Sequence, residues 1–253
     1  MRFIVVRLKY VLFFSLAAVL IAVVLLTNGH AVMTFLAGGR ELPIYSVKRD
    51  DNKIALTFDC AWGAEDIDDI AATLNKYGCR ATFYVTGKWA EQYSPELNKL
   101  YRSGFEIGIH SYDHDDYTAM TAAEVTEDVE KCADIIKRIT GADPKTVRVP
   151  SGAYNDTAVE AIENGGRQCI QWSIDGLDYT DTTGEEIYGR IVPNTVSGDI
   201  ILLHGGTDIT ARILPDIITA LRKDYELVNI SDLTYKDGFT IDHTGKQIKK
   251  NLF

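Results

Sequence analysis

Short apolar runs alternate with amphipathic stretches along most of the chain. The first apolar run, residues 53–58, has the length of a buried strand, and Ile67, Ile70, Ala71 and Leu74 follow it at helical spacing. Further runs predict strands over residues 80–85, 104–110, 146–149, 168–174, 199–203 and 225–230. The stretches between them predict helices over residues 89–101, 121–139, 156–163, 185–192 and 211–221. Regular alternation of strands and helices is typical of a parallel sheet with helical crossovers, so the predicted fold class is α/β.

The N-terminus follows a different pattern. Arg2, Arg7 and Lys9 precede an almost uninterrupted apolar run over residues 11–26. A basic flank followed by an apolar run is typical of a membrane anchor, or of an export signal, with its basic end inside the cell. We predict an uncleaved transmembrane segment in the cell membrane, with the rest of the chain outside. Small residues after Asn28 leave cleavage, and a secreted protein, as the alternative.

These patterns divide the chain into four parts. Residues 1–30 are the predicted anchor, and residues 31–50 are a linker that contains a Gly-Gly pair and a proline. Residues 51–234 hold the alternating elements and form the predicted domain. Residues 235–253 are a polar tail for which the pattern predicts no element.

The charge of the chain limits its partners. There are 36 acidic and 26 basic residues, and four of the basic residues but none of the acidic ones lie in the first 40 positions. The domain is therefore strongly acidic and would repel nucleic acid, whereas a neutral or mixed-charge polymer suits it better. The four cysteines show no CxxC pair or regular spacing, so neither a disulfide framework nor a zinc knuckle is predicted.

Two histidines, His110 and His114, follow the strand predicted over residues 104–110. If the chain turns helically there, their Cβ atoms lie about 5–6 Å apart on one face. Imidazole is a common ligand of zinc and similar metals, and two of them leave positions for water and substrate. The alternative is a pair of histidines that binds no metal.

Other polar residues stand at or just after the ends of predicted strands. They are Asp59, Arg148, Asp175 or Asp178, and His204. In a parallel barrel the carboxyl ends of the strands form one rim, where such enzymes place their chemistry. This placement favours a metal-binding role for the two histidines.

Five stretches, in order, resemble the motifs of the polysaccharide deacetylases, the NodB-homology group or carbohydrate esterase family four. They are TFDCAWG (57–63), HSYDH (110–114), RVPSG (148–152), WSIDGLDY (172–179) and LLH (202–204). The Trp62-Gly63 pair at the end of the first motif looks most like that of the spore-associated branch. The resemblance implies a deformed (β/α)₇-type barrel. It also implies a metal-dependent hydrolase that removes N-acetyl groups from N-acetylglucosamine or N-acetylmuramic acid units of a cell-wall or spore-cortex glycan.

The resemblance also implies a catalytic set. Asp59 matches the general base and Arg148 the residue paired with it, while His204 matches the general acid and Asp178 the carboxylate that orients it. Histidine titrates in the range that acid catalysis at neutral pH requires.

The same resemblance supplies ligands and substrate contacts. His110 and His114 match metal ligands, and zinc is the predicted ion, with cobalt or manganese as alternatives. The backbone N–H of Ser151 matches an oxyanion donor, and Leu202 and Tyr179 match walls of the acetyl pocket.

The sequence departs from the family at Cys60, where the usual motif TFDD has an aspartate as the third metal ligand. A thiolate would favour zinc, but Cys60 could equally be a small buried residue that leaves two histidines alone. Glu65 or Asp66 would substitute if their loop folded back. Two competing interpretations follow: a glycan-binding or spore-assembly protein that kept the barrel and lost the metal, or a hydrolase with Cys60 as nucleophile.

Overall fold

Eight parallel strands form the main sheet of the protein, and helices pack on its outer face. The structure is a computed structural model that describes residues 40–250. Its strands are β1 (Ser46–Val47), β2 (Lys53–Cys60), β3 (Thr82–Val85), β4 (Glu106–Ile109), β5 (Thr146–Val147), β6 (Gln168–Cys169), β7 (Ile174–Asp175), β8 (Ile200–His204), β9 (Glu226–Leu227), β10 (Phe239–Ile241) and β11 (Lys246–Lys249). Its helices are α1 (Ile67–Tyr77), α2 (Gly87–Gln92), α3 (Ser94–Arg102), α4 (Ala122–Thr140), α5 (Asp156–Asn164), α6 (Gly184–Ile191), α7 (Asp208–Leu221) and α8 (Ile230–Leu233).

The strand order of the main sheet is β6-β5-β4-β3-β2-β8-β7, with β9 paired to the start of β2. Every pair in this sheet is parallel, as the alternating pattern predicts. The sheet is open between β6 and β7, so it forms a half-barrel. The segment before β2 bridges the two sides of the opening, because Ile44 pairs with Ile170 and Ser46 pairs with Asp199.

Side chains of the sheet fall into two separate hydrophobic clusters. Leu56, Phe58 and Cys60 belong to the cluster that includes the helices, whereas Ala55 belongs to the inner cluster with Tyr84. Successive residues of a strand point to opposite faces. Asp59 therefore faces the inside of the half-barrel, and Cys60 faces the helices.

Local sequence signals account for the helix boundaries. Thr121 and Glu124 form the capping box that begins α4, and Gly141 ends that helix with a left-handed φ of 83°. Over residues 89–101 the sequence predicts partial helix with an interruption at Pro95, and the structure has two helices there, α2 and α3, with Pro95 in the first turn of the second one.

The folded part begins earlier than the sequence predicts and extends into the predicted tail. Residues from Glu41 onward form one compact unit, and Ile44 and Val47 are almost fully buried. β10 and β11 form an antiparallel hairpin, and β11 pairs in parallel with β1. Pairing between the two ends of the domain is a long-range interaction, and the pattern of the tail carries no trace of it.

Several predicted strands are shorter in the structure, and two of them include residues that form other structure. The stretch over residues 168–174 is split into β6 and β7, and β9 stops before residues 230–233, which form α8. Ile170, between β6 and β7, forms an isolated bridge with Ile44, and Ile170 and Ile230 are both fully buried. Burial therefore accounts for the apolar pattern in these two places.

No helix within residues 40–250 has the length and hydropathy needed to cross a membrane. The anchor predicted for residues 1–30 lies outside the described residues.

Candidate active site

The C-terminal ends of the strands surround a pocket of about 170 Å³. Its lining residues are Asp59, Trp62, His110, His114, Ser151, Trp172, Asp175, Tyr179, Leu202 and His204. The half-barrel thus brings together most of the predicted site residues, from separate parts of the chain. Arg148 and Asp178 are buried behind this pocket, and Cys60 does not line it. A larger groove of about 460 Å³, lined by residues of α1 and α7, lies elsewhere, so volume alone does not mark the site.

Asp59 is held by a fully buried arginine. Arg148 donates from Nη1 to Oδ1 of Asp59 over 2.7 Å and from Nη2 to the carbonyl of Gln171 over 3.2 Å, and its guanidinium stacks on the ring of Tyr84. Burial by itself would raise the pKa of Asp59, but the charge of Arg148, with a smaller contribution from His204, outweighs it and lowers that pKa. Asp59 is therefore ionised at neutral pH, which is the form that a general base requires.

His110 presents an unprotonated nitrogen to the pocket. Its Nδ1 lies 2.8 Å from the carbonyl oxygen of Arg148, which only accepts, so Nδ1 carries the proton. Burial lowers the pKa of His110 to about 4, and the ring is neutral at pH 7. Nε2 then faces Oδ2 of Asp59 at 3.5 Å with a lone pair. A lone pair beside a carboxylate oxygen is an arrangement that a cation stabilises, and a backbone partner on the other ring nitrogen is typical of histidine ligands.

His114 reaches the same place through a loop and not through a helical turn. Ser111 and His114 have left-handed φ values of 66° and 62°, which a helix would not contain, so the condition of a helical turn after the strand is not met. The carboxylate of Asp128 accepts the backbone N–H of Tyr112 and helps to hold this conformation. The rings of His110 and His114 lie 5.0 Å apart, centroid to centroid. Burial also lowers the pKa of His114, which favours the neutral ring.

The position of Cys60 does not support it as a third metal ligand. It is the last residue of β2, is fully buried, and lies beside Ile67 and Gly205 on the helical side of the strand. Burial raises the pKa of its thiol well above the ordinary value, which disfavours both a thiolate ligand and a nucleophile. Asp66 does not replace it, because its carboxylate accepts the backbone N–H groups of Gly206 and Thr207.

Within residues 40–250 no group of three or more His, Cys, Asp or Glu side chains is placed to hold a metal ion. The donor chemistry of His110 and His114 suits a divalent cation. A metal at this site would keep its other positions for water and substrate.

His204 is fixed by a buried carboxylate on the segment after β7. Asp178 accepts from Nδ1 of His204 over 2.8 Å and from its backbone N–H over 2.7 Å, and it also accepts the hydroxyl of Thr210. Burial alone would lower the pKa of His204, but the hydrogen bond to Asp178 and the nearby carboxylates outweigh it and raise that pKa. The imidazolium form is favoured, and its free Nε2 proton is available to the pocket. Asp175 accepts the backbone N–H of Leu177 instead, so Asp178 is the carboxylate that contacts His204.

The walls of the pocket include three aromatic residues, and the sequence analysis assigned a role only to Tyr179. Trp172 is partly buried and covers Gly152. Trp62 lies 5.3 Å from His114 and Tyr179 lies 4.8 Å from His204, measured between ring centroids. Each aromatic residue lies within a motif at a strand end, and that position is the sequence signal for a wall residue. Ser151 lines the pocket with a left-handed φ of 55°.

A parallel half-barrel with an ionised carboxylate, two neutral histidines and a carboxylate-bound histidine at its rim has the makeup of an acid–base hydrolase. The profile of the family "Polysaccharide deacetylase" matches residues 46–170. The crystal structure of the peptidoglycan deacetylase PdaC from Bacillus subtilis is 30% identical, with a TM-score of 0.67, and covers 74% of this chain and 92% of that one. This chain belongs to the polysaccharide deacetylase family, carbohydrate esterase family four.

Two further relatives differ in what their names say about activity. The uncharacterized protein YlxY of Bacillus subtilis is 29% identical over 192 residues, which is 76% of this chain and 60% of YlxY. A mutant of BA3943, a carbohydrate esterase family four pseudoenzyme with restored enzymatic activity, is 27% identical with a TM-score of 0.73 and covers 78% of this chain and 72% of that one. The curated sequence of PdaC, a peptidoglycan N-acetylmuramic acid deacetylase, is matched over only 40% of its length.

Proposed function

We propose that this protein is a metal-dependent deacetylase that removes N-acetyl groups from N-acetylglucosamine or N-acetylmuramic acid units of a peptidoglycan-type glycan. The observation that carries the proposal is the opposite electrostatic setting of two residues in one pocket. Asp59 has a lowered pKa and is ionised, whereas His204 has a raised pKa and is protonated. Amide hydrolysis requires such a base and such an acid together, whereas sugar binding alone requires neither.

The residues of the pocket have separate tasks in this mechanism. Asp59 accepts the proton of the attacking water, and Arg148 keeps its carboxylate ionised and oriented. His204 donates the proton of Nε2 to the leaving nitrogen, and Asp178 holds the ring and stabilises its positive charge. The backbone N–H of Ser151 is assigned to the oxyanion, and Leu202 and Tyr179 to the walls of the acetyl group's site.

His110 and His114 would hold the metal. When bound, a divalent cation lowers the pKa of its water and polarises the substrate carbonyl. We assign zinc, with cobalt or manganese as alternatives, because both protein ligands are neutral imidazole nitrogens. Anchoring of the domain outside the cell by residues 1–30, and a role at the spore cortex, belong to the same proposal.

A second candidate function is a glycan-binding or spore-assembly protein without catalytic activity. Cys60 favours it, because this residue replaces the family's third ligand and its side chain faces the helices. A site with only two histidine ligands binds a metal more weakly than a site that has a third protein ligand. The relation to BA3943, named a pseudoenzyme, supports the same candidate.

One experiment separates the two candidates. The domain is purified with zinc, its bound metal is measured, and acetate release is followed from N-acetylated chitooligosaccharides and from peptidoglycan fragments. The deacetylase proposal expects about one zinc per chain, lost in His110→Ala and His114→Ala, and acetate release from at least one substrate. A metal-loaded protein that binds these glycans but releases no acetate from any of them establishes the second candidate.

A further inference from the structure

Two of the four exposed large hydrophobic side chains in the described part of the chain stand at the same pocket. Trp62 is 63% exposed and Tyr179 is 54% exposed, and both line the pocket of Asp59 and His204. Single exposed hydrophobic residues are common on protein surfaces, but two aromatic rings at one mouth mark a binding surface. Tyr179 already has a place in the acetyl site, whereas the proposed reaction gives Trp62 no task.

The size of the pocket shows where the rest of a glycan must lie. Its volume of about 170 Å³ is below the roughly 300–1,000 Å³ of pockets that enclose a whole small molecule. The pocket can enclose a small group such as an acetyl, and neighbouring sugar units remain outside it. Contacts with those units must therefore come from the rim, and Trp62 is the most exposed aromatic residue that lines the pocket.

The main chain beside Trp62 is fixed from two sides. The carbonyl of Gly63 accepts Nε1–H of Trp89 over 2.8 Å. Gly206 packs against the backbone of Gly63 so closely that an added Cβ would lie 3.0 Å from it. Asp66 adds a second connection, because its carboxylate accepts the N–H of Gly206 over 2.6 Å. The loop of Trp62 is thus bound to the loop that follows His204.

The indole ring also has a defined neighbour on its inner side. It lies 5.3 Å from the ring of His114, at an interplanar angle of 49°, while most of its surface is exposed. A rigid aromatic ring that is exposed next to reacting groups suits the apolar C–H face of a pyranose, because the hydroxyl groups of the sugar remain in water. Among the described residues no lysine or arginine lines the pocket, so no long basic side chain is available there to bind an anionic group of the ligand.

We infer that Trp62 is a stacking platform for the sugar unit next to the one whose N-acetyl group enters the pocket. The inference rests on the proposed function and adds a specificity-determining residue to it. The ligand class is an N-acetylated β-linked oligosaccharide of at least two units.

Binding by calorimetry tests the platform. The ligands are N-acetylglucosamine and its β-1,4-linked tetramer, and the proteins are wild type, Trp62→Leu, Trp62→Phe and Tyr101→Ala. Tyr101→Ala is the matched control, because Tyr101 is an exposed aromatic residue on α3 that does not line the pocket. We expect Trp62→Leu to weaken tetramer binding roughly tenfold, the scale of one lost aromatic contact of about 1.4 kcal/mol. Trp62→Phe should retain most of the affinity, and Tyr101→Ala should leave it unchanged.

The length dependence separates stacking from a general loss of structure. The tenfold loss should appear with the tetramer and be much smaller with the monosaccharide, and all four proteins should have similar thermal melting curves. Equal tetramer affinity of wild type and Trp62→Leu overturns the inference, and so does equal loss in the Leu and Phe variants. Wild-type protein that binds no tetramer overturns it as well.

The outcome is independent of catalysis. If wild type releases acetate and Trp62→Leu binds the tetramer normally, the deacetylase proposal stands and the platform is rejected. If wild type releases no acetate but Trp62→Leu loses binding, the platform stands and the catalytic proposal fails.

Discussion

Asp59 and His204 are register partners on the neighbouring parallel strands β2 and β8. The backbone beyond them is joined as well, because the N–H of Gly205 donates to the carbonyl of Asp59 over 2.9 Å. The two side chains enter one pocket from adjacent strands, yet each contacts a different buried partner, Arg148 for the aspartate and Asp178 for the histidine. The fold therefore places a carboxylate with a lowered pKa beside an imidazole with a raised pKa.

This relationship predicts that neither residue can replace the other. We expect Asp59→Asn and His204→Ala each to reduce acetate release by roughly 10²-fold or more, the usual scale for loss of a positioned base or acid. The measurement is kcat/KM on an N-acetylated chitooligosaccharide, with thermal melting to show that the variants are folded. If an active wild type is matched by either folded variant, the role given to that residue is wrong.

The bond between Asp178 and His204 predicts a specific change in pH dependence. Activity requires protonated His204, so it falls as the pH rises through the pKa of this residue. Since the hydrogen bond to Asp178 raises that pKa, Asp178→Asn should lower it and move the alkaline limb of the profile to lower pH. The acid limb, set by the lowered pKa of Asp59, should move little. The comparison variant is Asp175→Asn, in which the lost carboxylate bonds the backbone of Leu177 and not His204, and its alkaline limb should shift less.

The outward orientation of Cys60 predicts that metal binding does not depend on its sulfur. Cys60→Ala should keep the zinc affinity of wild type within about twofold, whereas His110→Ala should lose the ion. Loss of the buried sulfur should lower the free energy of unfolding by about 1 kcal/mol. Cys132→Ala is the matched control, because Cys132 is also fully buried and lies on α4. A zinc loss in Cys60→Ala as large as in His110→Ala would show that the thiol is a ligand.

Close packing of Gly108 against Tyr84 predicts that a larger residue at position 108 destabilises the protein. An added Cβ there would lie 2.4 Å from a ring carbon of Tyr84, and Cζ of Arg148 lies 4.3 Å from the centroid of the same ring. Because Tyr84 is fully buried, its ring has little room to move, and we expect Gly108→Ala to lower the free energy of unfolding by about 1–3 kcal/mol, the cost of overpacking a core. Gly189→Ala is the control, since Gly189 lies in helix α6 with open space around it and should become more stable by up to about 1 kcal/mol. Urea denaturation measures both, and equal effects of the two substitutions would contradict the packing argument.

The sequence alone predicts the order of the elements and most of the pocket. Apolar runs such as residues 53–58 and the capping box of Thr121 and Glu124 are local signals, and the structure contains the corresponding strand and helix. The candidate residues Asp59, His110 and His204 could be chosen because they follow predicted strands, and parallel strands bring such positions to one rim. The resemblance to the family added their roles, and these roles remain predictions.

The features decided by tertiary structure depend on distant parts of the chain. The sequence predicts no element for residues 235–253. The reason is that β11 pairs with β1, about 200 positions away, and such pairing leaves no periodic signal. The loop of His114 adopts left-handed backbone conformations, and Asp128 of α4 supports them. The spacing of His110 and His114 in the sequence suits a helical turn and does not indicate this loop.

Cys60 shows the difference most directly. Its place in the motif TFDCAWG made it a candidate metal ligand, because motif position records which residue is next to Asp59 in the chain. The direction of its side chain depends on whether β2 continues through residue 60, and pairing of Cys60 with Val85 of β3 keeps it in the strand. Alternation along a strand then turns Asp59 toward the pocket and Cys60 toward the helices. The sequence by itself determined which residues come to the rim, and strand pairing decided which of them face it.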